Sequence, residues 1–260
     1  MTAAGAAALV RLEGVGKRFD NGTVALAGLD LALHRGEFLS ILGPSGCGKT
    51  TALRLIAGLA QPSAGRVAWA ASPAQGGARE ALGFVFQEPT LLPWRTARGN
   101  VALPLILAGA GRAEARARAQ AALASVGLES ACGMFSRQLS GGMRMRVSIA
   151  RALVTRPALL LMDEPFAALD EITRERLNAD LLRLWHERAL SVAFVTHSVY
   201  ESVFLSSRVV VMARGPGRVA AEIAVPAPYP RTESFRTSSV YAQTCQRVSA
   251  ALRRAMGEGA

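Results

Sequence analysis

Eight consecutive residues, Gly43-Pro44-Ser45-Gly46-Cys47-Gly48-Lys49-Thr50, follow the spacing G-x-x-x-x-G-K-[ST]. The apolar run Phe38 to Leu42 ends directly before them and reads as a buried strand. Thr50 to Leu59 carries helical spacing through Leu53, Ile56 and Ala57. Glycines let successive backbone N–H groups turn toward one point, and the positive end of the following helix adds to them. The result is a cradle for phosphate. In it Lys49 would reach the β- and γ-phosphates of a nucleotide, and the Thr50 hydroxyl would bind Mg2+. A chance glycine turn beside a lysine is the competing explanation, and the strand–loop–helix context argues against it. The candidate phosphate-binding residues are Gly43, Pro44, Ser45, Gly46, Cys47, Gly48, Lys49, Thr50 and the adjoining Thr51.

A second apolar run, Ala158 to Met162, ends in Asp163-Glu164-Pro165. A continuous apolar run suits a parallel strand covered on both faces. Such a strand delivers its last side chains to the sheet edge where α/β proteins bind ligands. Asp163 is placed to hold Mg2+ through its water shell. Glu164, pointing elsewhere, could accept a proton from an attacking water. The alternative is two acids opening a helix at Pro165. A third candidate is Ser140-Gly141-Gly142, which opens a helix with exposed N–H groups and a hydroxyl. Taken alone it would be an ordinary serine cap.

The rest of the chain alternates strands with helices, which implies a parallel α/β core. Residues 8 to 40 hold short apolar runs broken at Asn21-Gly22 and Arg35-Gly36, predicting a small β-rich opening. Arg66 to Trp69 and Leu82 to Phe86 read as strands around a loose stretch with Pro73, Gly76 and Gly77. Residues 97 to 154 look mostly helical, with Arg112 to Val126 rich in alanine and arginine and Gly127 placed to stop it. The helix after Asp170 is expected to bury Ile172, Leu177, Leu181 and Leu184. Val192 to Thr196 and Arg208 to Met212 are further buried strands, and Val219, Ala221, Ile223 and Val225 alternate as an edge strand. Tyr241, Cys245, Val248 and Leu252 mark a packing helix near the end.

Half of the 260 residues are hydrophobic, enough for a sizeable core, and no apolar run reaches the ~18 residues of a membrane-spanning helix. The opening Met1 to Val10 has no basic residue before its apolar stretch, so it reads as a frayed tail rather than a secretion signal. The net charge of +11 comes almost wholly from arginine, since Lys17 and Lys49 are the only lysines. The arginines are scattered rather than massed in a stripe, so the expectation is an arginine-rich surface and not a nucleic-acid partner. Cys47, Cys132 and Cys245 fit neither a metal site nor a disulfide framework, which suits a reducing compartment. His34 and His186 read as surface residues.

Taken in order, the glycine loop, Gln87, Leu139-Ser140-Gly141-Gly142, Asp163-Glu164, Phe166-Ala167-Ala168-Leu169-Asp170 and His197 form a series. That series resembles the nucleotide-binding subunit of ABC transporters over about residues 10 to 225. The resemblance implies an α/β fold: a P-loop NTPase core with an antiparallel β subdomain and an inserted α-helical subdomain at about 88–155. These lie within an ABC ATPase domain at 10–235, preceded by a flexible tail at 1–9 and followed by a C-terminal helix at 236–260. It implies ATP and Mg2+ as cofactors. Phe19 would stack on adenine. Gln87 would touch Mg2+ or the attacking water and sense a membrane partner. His197 would contact the γ-phosphate and hold Glu164. Asp170 would lie at a subunit interface, or else simply cap its helix. ATP would be clasped between the phosphate loop of one subunit and Ser140, Gly141 and Gly142 of a second, homodimeric copy.

Leu91-Leu92-Pro93-Trp94, Thr196-His197-Ser198 and Val209 to Arg218 are similar to the nitrate, sulfonate and taurine importer group. The partners so implied are integral membrane permease subunits and, indirectly, a solute-binding protein. The implied location is the cytoplasmic face of the bacterial inner membrane. Residues from Gln87 to about Pro104 would receive the permease, with Trp94 either lining that groove or packing inside the helical subdomain. A soluble ABC ATPase acting on nucleic acid or the ribosome is the alternative. Such relatives carry two cassettes or a long coiled coil, and no heptad run occurs here. Met143 and Met145 depart from the pattern, standing where many members have glutamines whose hydrogen bonds methionine cannot replace.

Overall fold

The computed structural model describes residues 8–70 and 82–257. The loose stretch with Pro73, Gly76 and Gly77 and most of the expected tail lie outside the described residues. Ala8 and Leu9, placed in that tail by the sequence, instead open strand β1 (Ala8–Arg18), where Leu9 is buried.

β1 pairs antiparallel with β2 (Val24–His34) and with β4 (Ala64–Trp69), giving a three-stranded sheet in the order β2-β1-β4. Asn21-Gly22 lies in the turn between β1 and β2, where Gly22 adopts a φ of +83° that glycine takes without steric cost. The second sheet has six strands: β3 (Phe38–Leu42), β5 (Leu82–Val85), β6 (Leu159–Asp163), β7 (Ser191–Thr196), β8 (Arg208–Met212) and β9 (Val219–Ala224). Their order is β5-β6-β7-β3-β8-β9, and all neighbours are parallel except the β8–β9 pair at one edge.

Alternation along the buried strands sends side chains into two cores. Leu39 and Ile41, Leu159 and Leu161, Ala193 and Val195 pack with α1 (Lys49–Ile56) and the three-stranded sheet. Phe38 and Leu42, Leu160 and Met162, Val192 and Phe194 face the other way. There they meet α4 (Gly141–Leu153), α5 (Glu171–Arg188), α6 (Val199–Leu205) and the C-terminal α8 (Ser239–Met256). The short α7 (Glu233–Arg236) precedes α8, so the final helix begins at Ser239 rather than at 236. Between β5 and β6 the chain forms α2 (Ala97–Leu107), α3 (Arg112–Ser125) and α4. Gly127, at φ +69°, ends the α3 region as its conformational freedom allows.

One expectation fails on side-chain direction. Ile172 is 82% exposed, not buried. At 3.6 residues per turn it lies on the side of α5 opposite Leu177, Leu181 and Leu184. His34 is only partly exposed, because its Nδ1 lies 3.1 Å from buried Glu37. Among the described residues no helix is long and apolar enough to cross a membrane.

Candidate functional site

Register places the functional segments on one edge of the sheet. Leu42 of β3 pairs with Thr196 of β7, and Val195 pairs with Asp163 of β6. Gly43, Glu164 and His197 therefore leave their strands side by side, at the C-terminal ends where α/β sheets bind ligands.

The phosphate loop is built by close packing. A Cβ on Gly43 would lie 2.7 Å from Cys47 Sγ and 2.9 Å from the Met212 carbonyl. Cys47 is fully buried, and burial pushes its thiol above the usual range, so it fills space beneath the loop as a small residue. Gly46 and Gly48 have φ of +78° and +93°, which aim the backbone inward at the start of α1. No side chain caps that helix start at Gly48, leaving its first-turn N–H groups free of side-chain acceptors. Buried Lys49 donates from Nζ to the carbonyls of Gly43 at 2.8 Å and Pro44 at 3.0 Å. Its ammonium is thus held within the cradle. Thr51 continues α1 behind it.

At the neighbouring strand end, Asp163 Oδ1 accepts a hydrogen bond from Thr50 Oγ1 at 2.9 Å. Burial raises the Asp163 carboxyl, opposed first by the Thr50 hydroxyl. Thr50 and Asp163 supply hard oxygen donors, the kind Mg2+ takes alongside phosphate oxygens and water. Among the described residues no group of three or more His, Cys, Asp or Glu could hold a metal by itself. A site completed by a nucleotide's phosphates needs no such group.

Glu164 adopts a φ of +48°, strained for a side-chain-bearing residue. Its N–H donates to the Val195 carbonyl at 3.0 Å, which anchors the turn to β7. The turn directs the Glu164 carboxylate to His197, whose Nε2 is 2.5 Å from Glu164 Oε1. A cavity of about 280 Å³ opens beside this pair.

Ser140 caps α4: its Oγ accepts from the Met143 N–H at 3.2 Å. Gly141 follows it on the surface, and Gly142 packs so closely that a Cβ would lie 2.7 Å from Thr173 Cγ2 on α5. Asp170 caps α5, its Oδ1 accepting from the Thr173 N–H at 2.9 Å, and this bond lowers its carboxyl from the usual range. The two helix starts thus form one surface. Met145 is buried and Met143 packs against the core, so both side chains make apolar contacts.

Three residues stand apart from the pair. Gln87 lies exposed in the bend after β5, next to the β6 edge. Phe19, 41% exposed, follows β1 with Lys17 Nζ 5.4 Å from its ring centroid. Trp94 is 72% exposed, which removes internal packing as its role.

Sequence reasoning missed several contributors. Gly217 sits where a Cβ would collide with the Cys47 carbonyl, so the β8–β9 loop supports the phosphate loop from below. Arg151 of α4 donates to the carbonyls of Pro89 and Thr90, each at 2.9 Å, tying the segment after Gln87 to the helix that begins at Gly141. Arg174 and Glu201 line the cavity beside His197. Their only local signal was charge at helical positions, which normally means solvent.

The family described as ABC transporter matches residues 26–167, over half of the chain. The chain is 47% identical over 198 residues to the taurine import ATP-binding protein TauB of Shigella boydii, covering 76% of this chain and 77% of that one. It is 43% identical over 225 residues to an uncharacterized ABC transporter ATP-binding protein of Methanocaldococcus jannaschii, with 85% and 84% covered. Among solved structures it is similar to the dimeric ATP-binding cassette MJ0796 in a post-hydrolysis state with ADP and Pi. The TM-score is 0.74 at 35% identity, covering 84% of this chain and all of that one.

Proposed function

This chain belongs to the ABC transporter family as an ATP-binding, ATP-hydrolysing subunit, and we propose that two copies dock on a membrane permease to drive uptake of a small solute. The solute class is that of taurine, other sulfonates or nitrate, which the likeness to a taurine import protein supports. The observation that carries the reading is the contact of His197 Nε2 with Glu164 Oε1, one strand away from the phosphate loop.

That contact supports the hydrolytic pair, and the family resemblance supports the remaining roles in this reading. Lys49 leaves the loop carbonyls and pairs with phosphate oxygens, a stronger charge-assisted interaction. Phe19 offers a ring face to adenine. Bound Mg2+ would neutralise phosphate charge, held through Thr50 and Asp163 with Gln87 at its edge. Glu164 accepts the proton of the attacking water, and His197 holds Glu164 in line. Ser140, Gly141 and Gly142 of the second copy complete the anion nest, with Asp170 and exposed Ile172 beside them on the facing surface. ATP then bridges two copies, and hydrolysis removes the differential affinity that holds them closed.

Exposed Trp94, following Gln87, offers the permease an apolar contact. That partner would hold the subunit at the cytoplasmic face of the inner membrane, with a solute-binding protein delivering cargo from the other side. The test is reconstitution of the subunit with its permease in proteoliposomes. Uptake of taurine or a related anion should require MgATP and vanish with Glu164→Gln. Uptake indifferent to ATP, or salt-sensitive DNA binding by the free subunit with no permease association, would overturn the assignment.

A further inference from the structure

The segment carrying His197 is fixed by side chains on both flanks. Thr196 Oγ1 donates to Glu201 Oε2 at 2.6 Å and accepts from the Ser198 N–H at 3.0 Å. Ser198 Oγ accepts in turn from the Glu201 N–H at 3.2 Å. Glu201, only 7% exposed, thus grips the residues before and after His197. Arg174 of α5 stands on its other side. Arg174 Nε is 3.9 Å from Glu201 Oε1, while Arg174 Nη2 donates to the carbonyl of Leu169 at 2.8 Å. Leu169 directly precedes Asp170.

This connection is incompletely satisfied. Arg174 Nε and Asn178 Oδ1 are buried without a hydrogen-bond partner, and Glu201 Oε1 makes no hydrogen bond of normal length, although the Asn178 side chain stands near enough to help hold its carboxyl down. Burial pushes the Glu201 carboxyl up, while the Thr196 hydroxyl and Arg174 hold it down. Unpaired buried polar atoms are costly, and an ion pair of this kind reaches full strength at about 2.7–2.9 Å. An approach of roughly 1 Å between the start of α5 and the Thr196–Ser198 segment would satisfy the facing atoms. Arg174 and Glu201 also line the cavity shared with His197 and Glu164.

We propose that Arg174 and Glu201 are a positioning pair that couples the Asp170 segment to His197. Movement of Leu169 and Asp170 at the subunit interface is passed through the guanidinium to Glu201, and through Thr196 and Ser198 it sets the reach of His197 toward Glu164. The inference rests on the reading of His197 and Glu164 as the hydrolytic pair.

The experiment compares Arg174→Met, Glu201→Gln and the double variant in the full-length protein, alone and in a His197→Ala background. It reads kcat, KM, affinity for a fluorescent ATP analogue, and Tm. Each single change should lower kcat by about tenfold while leaving KM and affinity within about twofold. The double variant should be no slower than the slower single, since one connection is cut either way. It also removes the buried Glu201 charge together with its half-buried partner, so it reports even if Arg174→Met, which leaves Glu201 unpaired, fails to fold. In the His197→Ala background the double change should alter the residual rate by less than about twofold. Normal kcat in the folded double variant, or a further tenfold loss without His197, overturns the coupling while leaving the hydrolytic pair intact. Normal turnover by His197→Ala alone removes the hydrolytic reading and the coupling with it.

Discussion

Thr50 Oγ1 donates a hydrogen bond to Asp163 Oδ1 at 2.9 Å, joining the first turn of α1 to the end of β6. That bond, with Lys49 and Arg54, only partly offsets the burial that raises the Asp163 carboxyl. A carboxyl with a higher pKa in the folded chain binds its proton more tightly there. Its favourable contribution is therefore full at low pH and lost as pH rises from the ordinary carboxylate range through the raised value. Asp163→Asn keeps an acceptor for Thr50 but carries no charge to desolvate. Without nucleotide or metal, this variant should melt above the wild type at neutral pH. The gap should close as pH falls below the ordinary carboxylate range, while Mg2+-dependent hydrolysis is lost. Thermal melts across a pH series check the sign, and a gap that widens in acid would contradict it.

Glu164 takes its position from a strained turn, at φ +48°, anchored to Val195 and meeting His197. Glu164→Gln retains the shape and loses only the capacity to take a proton. Turnover should fall by about 10²–10⁴-fold with nucleotide affinity little changed. Because ATP would no longer be consumed, gel filtration with MgATP should show a lasting dimer. Measured turnover within tenfold of the wild type would move the general base elsewhere.

Gly142 has no room for a side chain because Thr173 Cγ2 stands 2.7 Å from where its Cβ would be. Gly142→Ala should push α4 and α5 apart at their shared start, at a cost of about 1–3 kcal/mol. ATP-driven dimerisation and turnover should drop together. Thr173→Ser removes the obstructing methyl and should restore much of both. A double variant as poor as Gly142→Ala alone would show that the glycine is needed for backbone access rather than for packing against α5.

The sheet and the edge that bears the site were legible because their signals are local. Continuous apolar runs end directly in Gly43 and Asp163, so strand and ligand edge are read together. Ser140 and Asp170 announced their caps by residue type alone. Ile172 is apolar and near a helix start, which suggests the core, but its angle around α5 sets it opposite Leu177 and Leu181 and leaves it exposed. Arg174 and Glu201 were invisible for a different reason. Their importance lies in facing each other from two helices, and a charge at a helical position carries no mark of its partner.

Gly217 tests the same point from the far side of the phosphate loop. It lies outside every motif proposed to touch phosphate, yet a Cβ there would collide with the Cys47 carbonyl and lie 2.9 Å from Leu26 Cδ2. Nor can its backbone retreat: its N–H donates to Ala25 at 2.9 Å and its carbonyl accepts from Ala27 at 3.2 Å. In Gly217→Ala the phosphate loop must therefore yield. A shift there misaligns the N–H groups of Gly46 to Thr50 with their ligand, so ATP affinity should fall by about tenfold, or 1.4 kcal/mol. Gly133→Ala, where a Cβ meets nothing within 4 Å, is the control and should bind as the wild type does. Equal affinities for the two variants in a nucleotide titration would show that the loop tolerates displacement from beneath.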